Sequence, residues 1–152
     1  MKLSLTTILP AALLLAGFAT AQGQTSADSA AIRATALDYI EGWYNNDAAR
    51  MERALHPRLV KRMVWVDSTG KSQLVDMTAA ELVEGTRRHR TVPPAERRKD
   101  VQILSAFGNA AVVRIDASEW VDYLQVVKWN GRWKIINVVW ENRPAGAWTV
   151  RR

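Results

Sequence analysis

The chain has 152 residues, 48% of them hydrophobic and 24% charged, the composition of one ordinary globular domain, which argues against a multidomain or disordered organisation. It contains no cysteine, so disulfides, a thiol nucleophile and a cysteine-type metal site are excluded. Lys and Arg outnumber Asp and Glu by 21 to 15, a formal charge of +6 that by itself suggests nucleic acid or another anionic surface as partner.

The N terminus redirects that suggestion. Met1-Lys2 is followed by an uncharged run rich in Leu and Ala from Leu3 to Phe18, and Ala19-Thr20-Ala21 before Gln22 has the form of a cleavage site. This is the pattern of a secretory signal peptide over residues 1–21, interrupted by Pro10 and short for a spanning helix of about 20 residues. Cleavage between Ala21 and Gln22 would place the chain in the periplasm or the medium, so no nucleic acid partner is expected. No later stretch is as long and apolar, and no transmembrane segment is expected after cleavage. Residues 22–27 read as a polar lead-in, 28–142 as the folded domain and 143–152 as a C-terminal tail.

Asp28 is placed to cap a first helix carrying Ile32, Ala36, Tyr39, Ile40 and Trp43 on one stripe. Asn45-Asn46-Asp47 ends it and starts a short second helix with Met51 and Leu55 inward, which stops near His56 because Pro57 disfavours helical geometry there. Leu59 to Val66 reads as a strand, Asp67-Ser68-Thr69-Gly70 as a turn and Lys71 to Val75 as a returning strand. Thr78-Ala79-Ala80-Glu81 is a capping box, flanked by Met77 and Leu82 at hydrophobic-staple positions, and it predicts helix onset at Thr78. From Arg87 to Lys99 the residues Arg87, Arg88, Arg90, Arg97, Arg98 and Lys99 surround Thr91-Val92-Pro93-Pro94 with Glu96 as the only acid, an exposed basic loop. A meander follows, with strands over 101–107, 110–118, 121–129 and 132–141 and turns at Gly108-Asn109 and Asn130-Gly131. Helices and antiparallel strands in this order make an α+β domain.

If Asn130-Gly131 is a two-residue turn, Trp129 pairs with Arg132 and regular counting places Gln125 opposite Ile136, Tyr123 opposite Val138 and Val121 opposite Trp140 on one face. The other face then carries Asp122, Leu124, Val126 and Lys128 against Trp133, Ile135, Asn137 and Val139. Both faces are apolar in the middle, so each needs a cover: helices on one, a second subunit on the other. The expected homodimer uses the face bearing Leu124, Val126, Trp133, Ile135 and Val139.

The strings Tyr39-Ile40-Glu41-Gly42-Trp43, Ala54-Leu55-His56-Pro57, Met77-Thr78 with Glu81-Leu82, Asp122-Tyr123-Leu124 and Gly131-Arg132-Trp133-Lys134-Ile135-Ile136-Asn137, together with Asp47 and Met51, resemble in order and spacing the nuclear transport factor 2-like superfamily. That superfamily is shared with steroid delta-isomerases, scytalone dehydratases and polyketide cyclases, and within it the likeness is closest to the putative lumazine-binding family. The resemblance implies a cone-shaped (cystatin-like) α+β fold, N-terminal helices packed on a curved, mostly antiparallel sheet, with Tyr39 pointing into the cone and the outer face of the sheet forming a dimer. Comparison with steroid isomerases puts Ile136, Val138 and Trp140 on the pocket wall, Tyr123 and Gln125 beside them, and Asp122 on the partner side.

Steroid isomerases use a carboxylate base and an oxyanion hole of a tyrosine and a protonated aspartic acid. Counting from Tyr39 and back from Gly131 puts Met63 and Gln125 where that family holds its acids, so such a reaction would require Asp67 or Asp122 to turn inward. Tyr39 reads as a donor to a ligand carbonyl or as a core aromatic. His56 reads as a general base or as a helix-end residue satisfying backbone carbonyls. Trp43, Trp65, Tyr123 and Trp140 suit stacking on a flat heterocycle, although the chain's seven tryptophans must mostly be core. His56 and His89, the only histidines, lie far apart in sequence, so no metal is expected, and no cofactor is expected either.

The function these residues suggest is an exported binding protein that holds a small aromatic or apolar ligand without turnover, using Tyr39, Trp43, His56, Met63, Trp65, Tyr123, Gln125, Ile136, Val138 and Trp140. One alternative is an isomerase, dehydratase or cyclase in which Tyr39 and His56 converge. Another is an envelope interaction module using the loop 87–99, with the cone filled by its own side chains.

Overall fold

The computed structural model describes residues 25–144; the expected signal peptide and the residues after 144 lie outside that range. The first helix, α1 (Ser26–Asn45), is capped by Thr25, whose hydroxyl accepts from the Asp28 N–H at 3.0 Å. The cap is therefore Thr25 and not Asp28, because Thr25-Ser26-Ala27-Asp28 is itself a capping sequence. Asp28 sits in the first turn, and its carboxylate accepts from Lys128 Nζ at 2.9 Å and Trp133 Nε1 at 3.0 Å, tying the start of α1 to the last hairpin. α1 ends at Asn46 in the left-handed region at φ 59°, which asparagine tolerates. Asp47 caps α2 (Ala48–Ala54), and the two helices pack so closely that a Cβ on Gly42 would stand 2.9 Å from the Met51 backbone nitrogen.

Strand β1 (Leu55–Val66) starts directly after α2, at Leu55 where the sequence suggests Leu59, and its first turn of pairing is irregular between Leu55 and Val60. β2 (Ser72–Thr78) runs on into α3 (Ala79–Arg88), whose capping box has both bonds: Thr78 Oγ1 accepts from Glu81 N–H at 3.3 Å, and Glu81 Oε2 accepts from Thr78 N–H at 2.8 Å. After a 3-10 turn over Pro94–Glu96 come β3 (Lys99–Phe107), β4 (Ala110–Ala117), β5 (Trp120–Trp129) and β6 (Arg132–Asn142). The six strands form one sheet in the order β2-β1-β6-β5-β4-β3, antiparallel except for the parallel pair β1 and β6. The domain is α+β, with the core, including Ile32, Ile40, Val113, Leu124 and Ile135, fully buried between the helices and one face of the sheet.

The last hairpin departs from regular counting at one residue. Asn130 and Gly131 both have positive φ, 48° and 76°, and Trp129 pairs with Arg132 as a two-residue turn requires. Val126 then pairs with Ile135 but Gln125 pairs with Asn137, so Ile136 is an extra residue in β6, a β-bulge. Because side chains alternate with period two, one extra residue reverses every face assignment beyond it. Asp122 and Leu124 join Val138 and Trp140 on the helix-covered face, while Tyr123, Gln125, Asn137 and Val139 stand on the open face. The dimer surface drawn from regular counting is corrected accordingly: Leu124, Val126, Trp133 and Ile135 are buried beneath the helices.

The basic segment expected as a loop over 87–99 is shorter, since Arg87 and Arg88 close α3 and Lys99 opens β3, and it is quieter than its composition suggests. Arg87 and Arg88 pair with Glu84, Arg98 with Asp100 and Lys99 with Glu41. Arg97 Nε donates to Val92 O at 2.7 Å, and Val92 N–H donates to Tyr44 O at 3.0 Å, which pins the loop to the end of α1.

Candidate functional site

A cavity of about 230 Å3 lies where α1, α2, α3 and the covered face of the sheet meet, lined by Tyr39, Trp43, Met51, Lys61, Met77, Leu82, Glu119, Trp120, Trp140 and Asn142. Tyr39 and Trp43 are four residues apart on α1 and so share a helical face. On β1 the alternation Leu59, Lys61, Met63 sends Lys61 inward among apolar neighbours. The Ile136 bulge delivers Trp140 and, across from it, Asp122.

These residues make a hydrogen-bonded cluster in the cavity wall. Lys61 Nζ donates to Tyr39 Oη at 2.6 Å and to Asp122 Oδ1 at 2.7 Å. The Tyr39 hydroxyl donates to the same Oδ1 at 3.3 Å, and Trp120 Nε1 donates to Oδ2 at 2.6 Å. The Asp122 side chain is fully buried and that of Lys61 is 8% exposed. Lys61 Nζ also lies 4.7 Å from the ring centroid of Trp140 and 5.4 Å from that of Tyr39, within cation–π range. Burial above all, and then the charge of Asp122, push the Tyr39 phenol well above its ordinary pKa, so it keeps its proton and directs it at Asp122.

Such a cluster can bind and orient, but its acid and its phenol are already engaged. Both oxygens of Asp122 accept hydrogen bonds, and the Tyr39 proton is engaged. An oxyanion hole of the steroid-isomerase kind needs a protonated carboxylic acid that donates, whereas a carboxylate salt-bridged to Lys61 only accepts. Glu119, the other acid lining the cavity, is exposed.

Trp43 and Trp120 meet at a steep angle with centroids 6.3 Å apart and separate this cavity from a wider groove of about 930 Å3, lined by Tyr44, His89, Arg90, Arg97 and Ser118 among others. His89 stacks on Trp43 at 4.1 Å. Burial lowers the imidazole pKa against the opposing pull of Glu119, and its buried Nε2 has no hydrogen-bond partner among the described residues.

Of the residues the sequence nominates, Tyr39, Trp43 and Trp140 line the cavity. Val138 is fully buried in the core, and Ile136 occupies the bulge; neither lines the cavity. Tyr123 and Gln125 are corrected to the opposite, open face, where Asn137 Nδ2 donates to Gln125 Oε1 at 3.2 Å. Trp65 is exposed and Met63 half-buried on the part of β1 that pairs with β2, outside the cavity. His56 accepts from the Arg58 N–H at Nδ1, 3.1 Å away, and meets Trp129 edge-on. It does not converge with Tyr39, which removes the geometry the enzymatic alternative required. The inward acid is Asp122, brought in by the bulge. Lys61 and Trp120 were missed; the one legible signal was a lysine in phase with Leu59 and Met63. Among the described residues no three His, Asp or Glu side chains gather as metal ligands, and no helix is long and apolar enough to cross a membrane.

A family model described as "Putative lumazine-binding" matches residues 27–141. No curated protein matches the chain. Among solved structures, an NTF2-like protein of unknown function from Shewanella baltica is similar at TM-score 0.64 and 20% identity, covering 81% of this chain and 100% of its own. One from Silicibacter pomeroyi gives 0.65 and 17%, covering 78% and 98%. A ketosteroid isomerase-like protein from Erwinia carotovora gives 0.52 and 12%, covering 79% and 99%. At these identities the structural likeness shows the fold, NTF2-like, and no activity.

Proposed function

This chain belongs to the putative lumazine-binding family, and from that premise we propose that it is an exported protein that holds a small, flat, aromatic or apolar molecule in its cone without turning it over. The observation that carries this is the cavity itself: Trp43, Trp120 and Trp140 supply aromatic walls, and the Tyr39 hydroxyl and the Asp122 carboxylate among them are already engaged. A volume of about 230 Å3 falls below the roughly 300–1,000 Å3 of pockets for drug-sized ligands, which favours one or two fused rings over a four-ring steroid. The interaction-module alternative is weakened by the same cavity and by the ion pairs that occupy most of the basic loop.

Export is supported by the Ala19-Thr20-Ala21 cleavage pattern and places the protein in the periplasm or the medium. A homodimer through the open face of the sheet is supported by the exposed Val64, Val66, Leu74, Tyr123 and Val139.

The test is native mass spectrometry of protein purified from its own host, followed by tryptophan fluorescence titration with lumazine as probe. Retained mass or saturable quenching that Trp140→Ala weakens supports the proposal. Failure to bind any small aromatic, with the cavity intact, overturns it.

A further inference from the structure

Lys61 is an unusual residue to place in the wall of an apolar cavity, and its hydrogen-bond inventory is incomplete. An ammonium has three N–H donors; Tyr39 Oη and Asp122 Oδ1 take two, and no described residue accepts the third. The group lines the cavity, enclosed by the rings of Trp140, Tyr39 and Trp120 at 4.7, 5.4 and 6.0 Å. Aromatic faces attract the cation but give it no lone pair in the plane of an N–H bond. A donor that faces the cavity takes its acceptor from whatever fills the cavity, so a ligand that displaces water there must supply one.

We infer that Lys61 selects the ligand, and that the ligand class is a neutral ring of one or two fused cycles carrying a carbonyl oxygen that accepts the third N–H of Lys61. The inference rests on the cone as the binding site and adds to it the functional group recognised.

The charge balance decides between a carbonyl and an anion. Lys61 and Asp122 neutralise each other at 2.7 Å, so a neutral acceptor completes the donor set and leaves the site neutral. A carboxylate would bring an unmatched negative charge close to Asp122 in a low-dielectric wall, with Glu119 also lining the cavity. A hydrocarbon of the same shape would stack equally well and leave the N–H unmet.

Three probes on one skeleton separate these cases: 1-tetralone, tetralin and 1,2,3,4-tetrahydro-1-naphthoate, titrated by isothermal calorimetry against the full-length mature protein. The expected result is that tetralone binds about 10- to 100-fold more tightly than tetralin, the range of a hydrogen bond to a charged group, and more tightly than the carboxylate. In Lys61→Met the preference over tetralin should fall to nearly none. Should that variant fail to fold, Lys61→Met with Asp122→Asn removes the cation without leaving a buried unpaired carboxylate, and the comparison in the unmutated protein stands without either. Equal affinity for tetralone and tetralin, both weakened by Trp140→Ala, overturns the role of Lys61 and leaves the cone as a binding site. Tightest binding of the carboxylate overturns the neutral class. No binding of any of the three overturns the inference, while the lumazine titration decides the binding proposal separately.

Discussion

Replacing Lys61 by methionine tests the buried cluster through stability, independently of any ligand. Methionine fills nearly the same volume, so packing changes little, but Asp122 loses the ion pair at 2.7 Å while remaining fully buried. Two donors remain to it, Tyr39 Oη at 3.3 Å and Trp120 Nε1 at 2.6 Å. Removing one partner of a buried ion pair typically destabilises by about 3–5 kcal/mol. Against a total of roughly 5–15 kcal/mol that is a large loss, equivalent to about 10–20 °C in Tm for a domain of this size. Adding Asp122→Asn removes the stranded charge: the amide oxygen can still accept from Trp120 and its NH2 can donate to Tyr39. The double variant should recover more than half of the loss, because a buried pair replaced as a unit is often close to neutral. Urea unfolding followed by circular dichroism measures all the variants. A single variant within about 1 kcal/mol of the parent, or a double variant that loses at least the sum of the two singles, would refute the view that the charges depend on one another.

Gly42→Ala should destabilise by about 1–3 kcal/mol in thermal unfolding, reversing the usual gain of roughly 1 kcal/mol for this change within a helix, since its Cβ would stand 2.9 Å from the Met51 nitrogen. Acid should unfold the protein from near pH 4 downward. Against the opposing effect of burial, Arg114 and Arg143 hold Asp116, and Arg53 and Arg50 hold Asp38, below the ordinary carboxylate range. A depressed folded-state pKa gives stability that is present above the unfolded value and lost as pH falls through the folded one. Arg114→Met should therefore reduce stability at pH 7 and leave a shallower loss toward pH 3 in urea titrations. Val139→Glu, on the open face, should give monomers in sedimentation without loss of fold; a parent protein that is already monomeric removes that use of the face.

Much of the fold was written in local chemistry. The Thr78-Glu81 capping box, the Asn130-Gly131 turn and the order of helices and strands each depend on neighbours a few residues away, and each appears where the sequence placed it. Thr25 took the cap assigned to Asp28 because both residues satisfy the same rule, and only the hydrogen bond distinguishes them. The site was less legible because it depends on register. Nothing in Lys134-Ile135-Ile136-Asn137 marks Ile136 as the extra residue; two adjacent isoleucines offer the same side chain to either face. Regular counting turns Tyr123 and Gln125 inward and Asp122 outward, the reverse of their positions. Lys61 is not legible as a site residue because what draws it inward, its acid partner, stands 61 residues further on in the chain.

The parallel pairing of β1 with β6 has a consequence for the order in which this chain can become itself. β1 and β2 have no other neighbour in the sheet, so the hairpin they form stays at the margin until Arg132–Asn142 has been made and has found its place. Until then β3, β4 and β5 can pair among themselves by short-range contacts, while Lys61, carried on β1, has no sheet to bring it beside Asp122 on β5. Long-range closures of this kind are slow. Assembly of the cluster should coincide with the last cooperative step of folding, and the difference in fluorescence change between the parent and Trp140→Phe would report that moment.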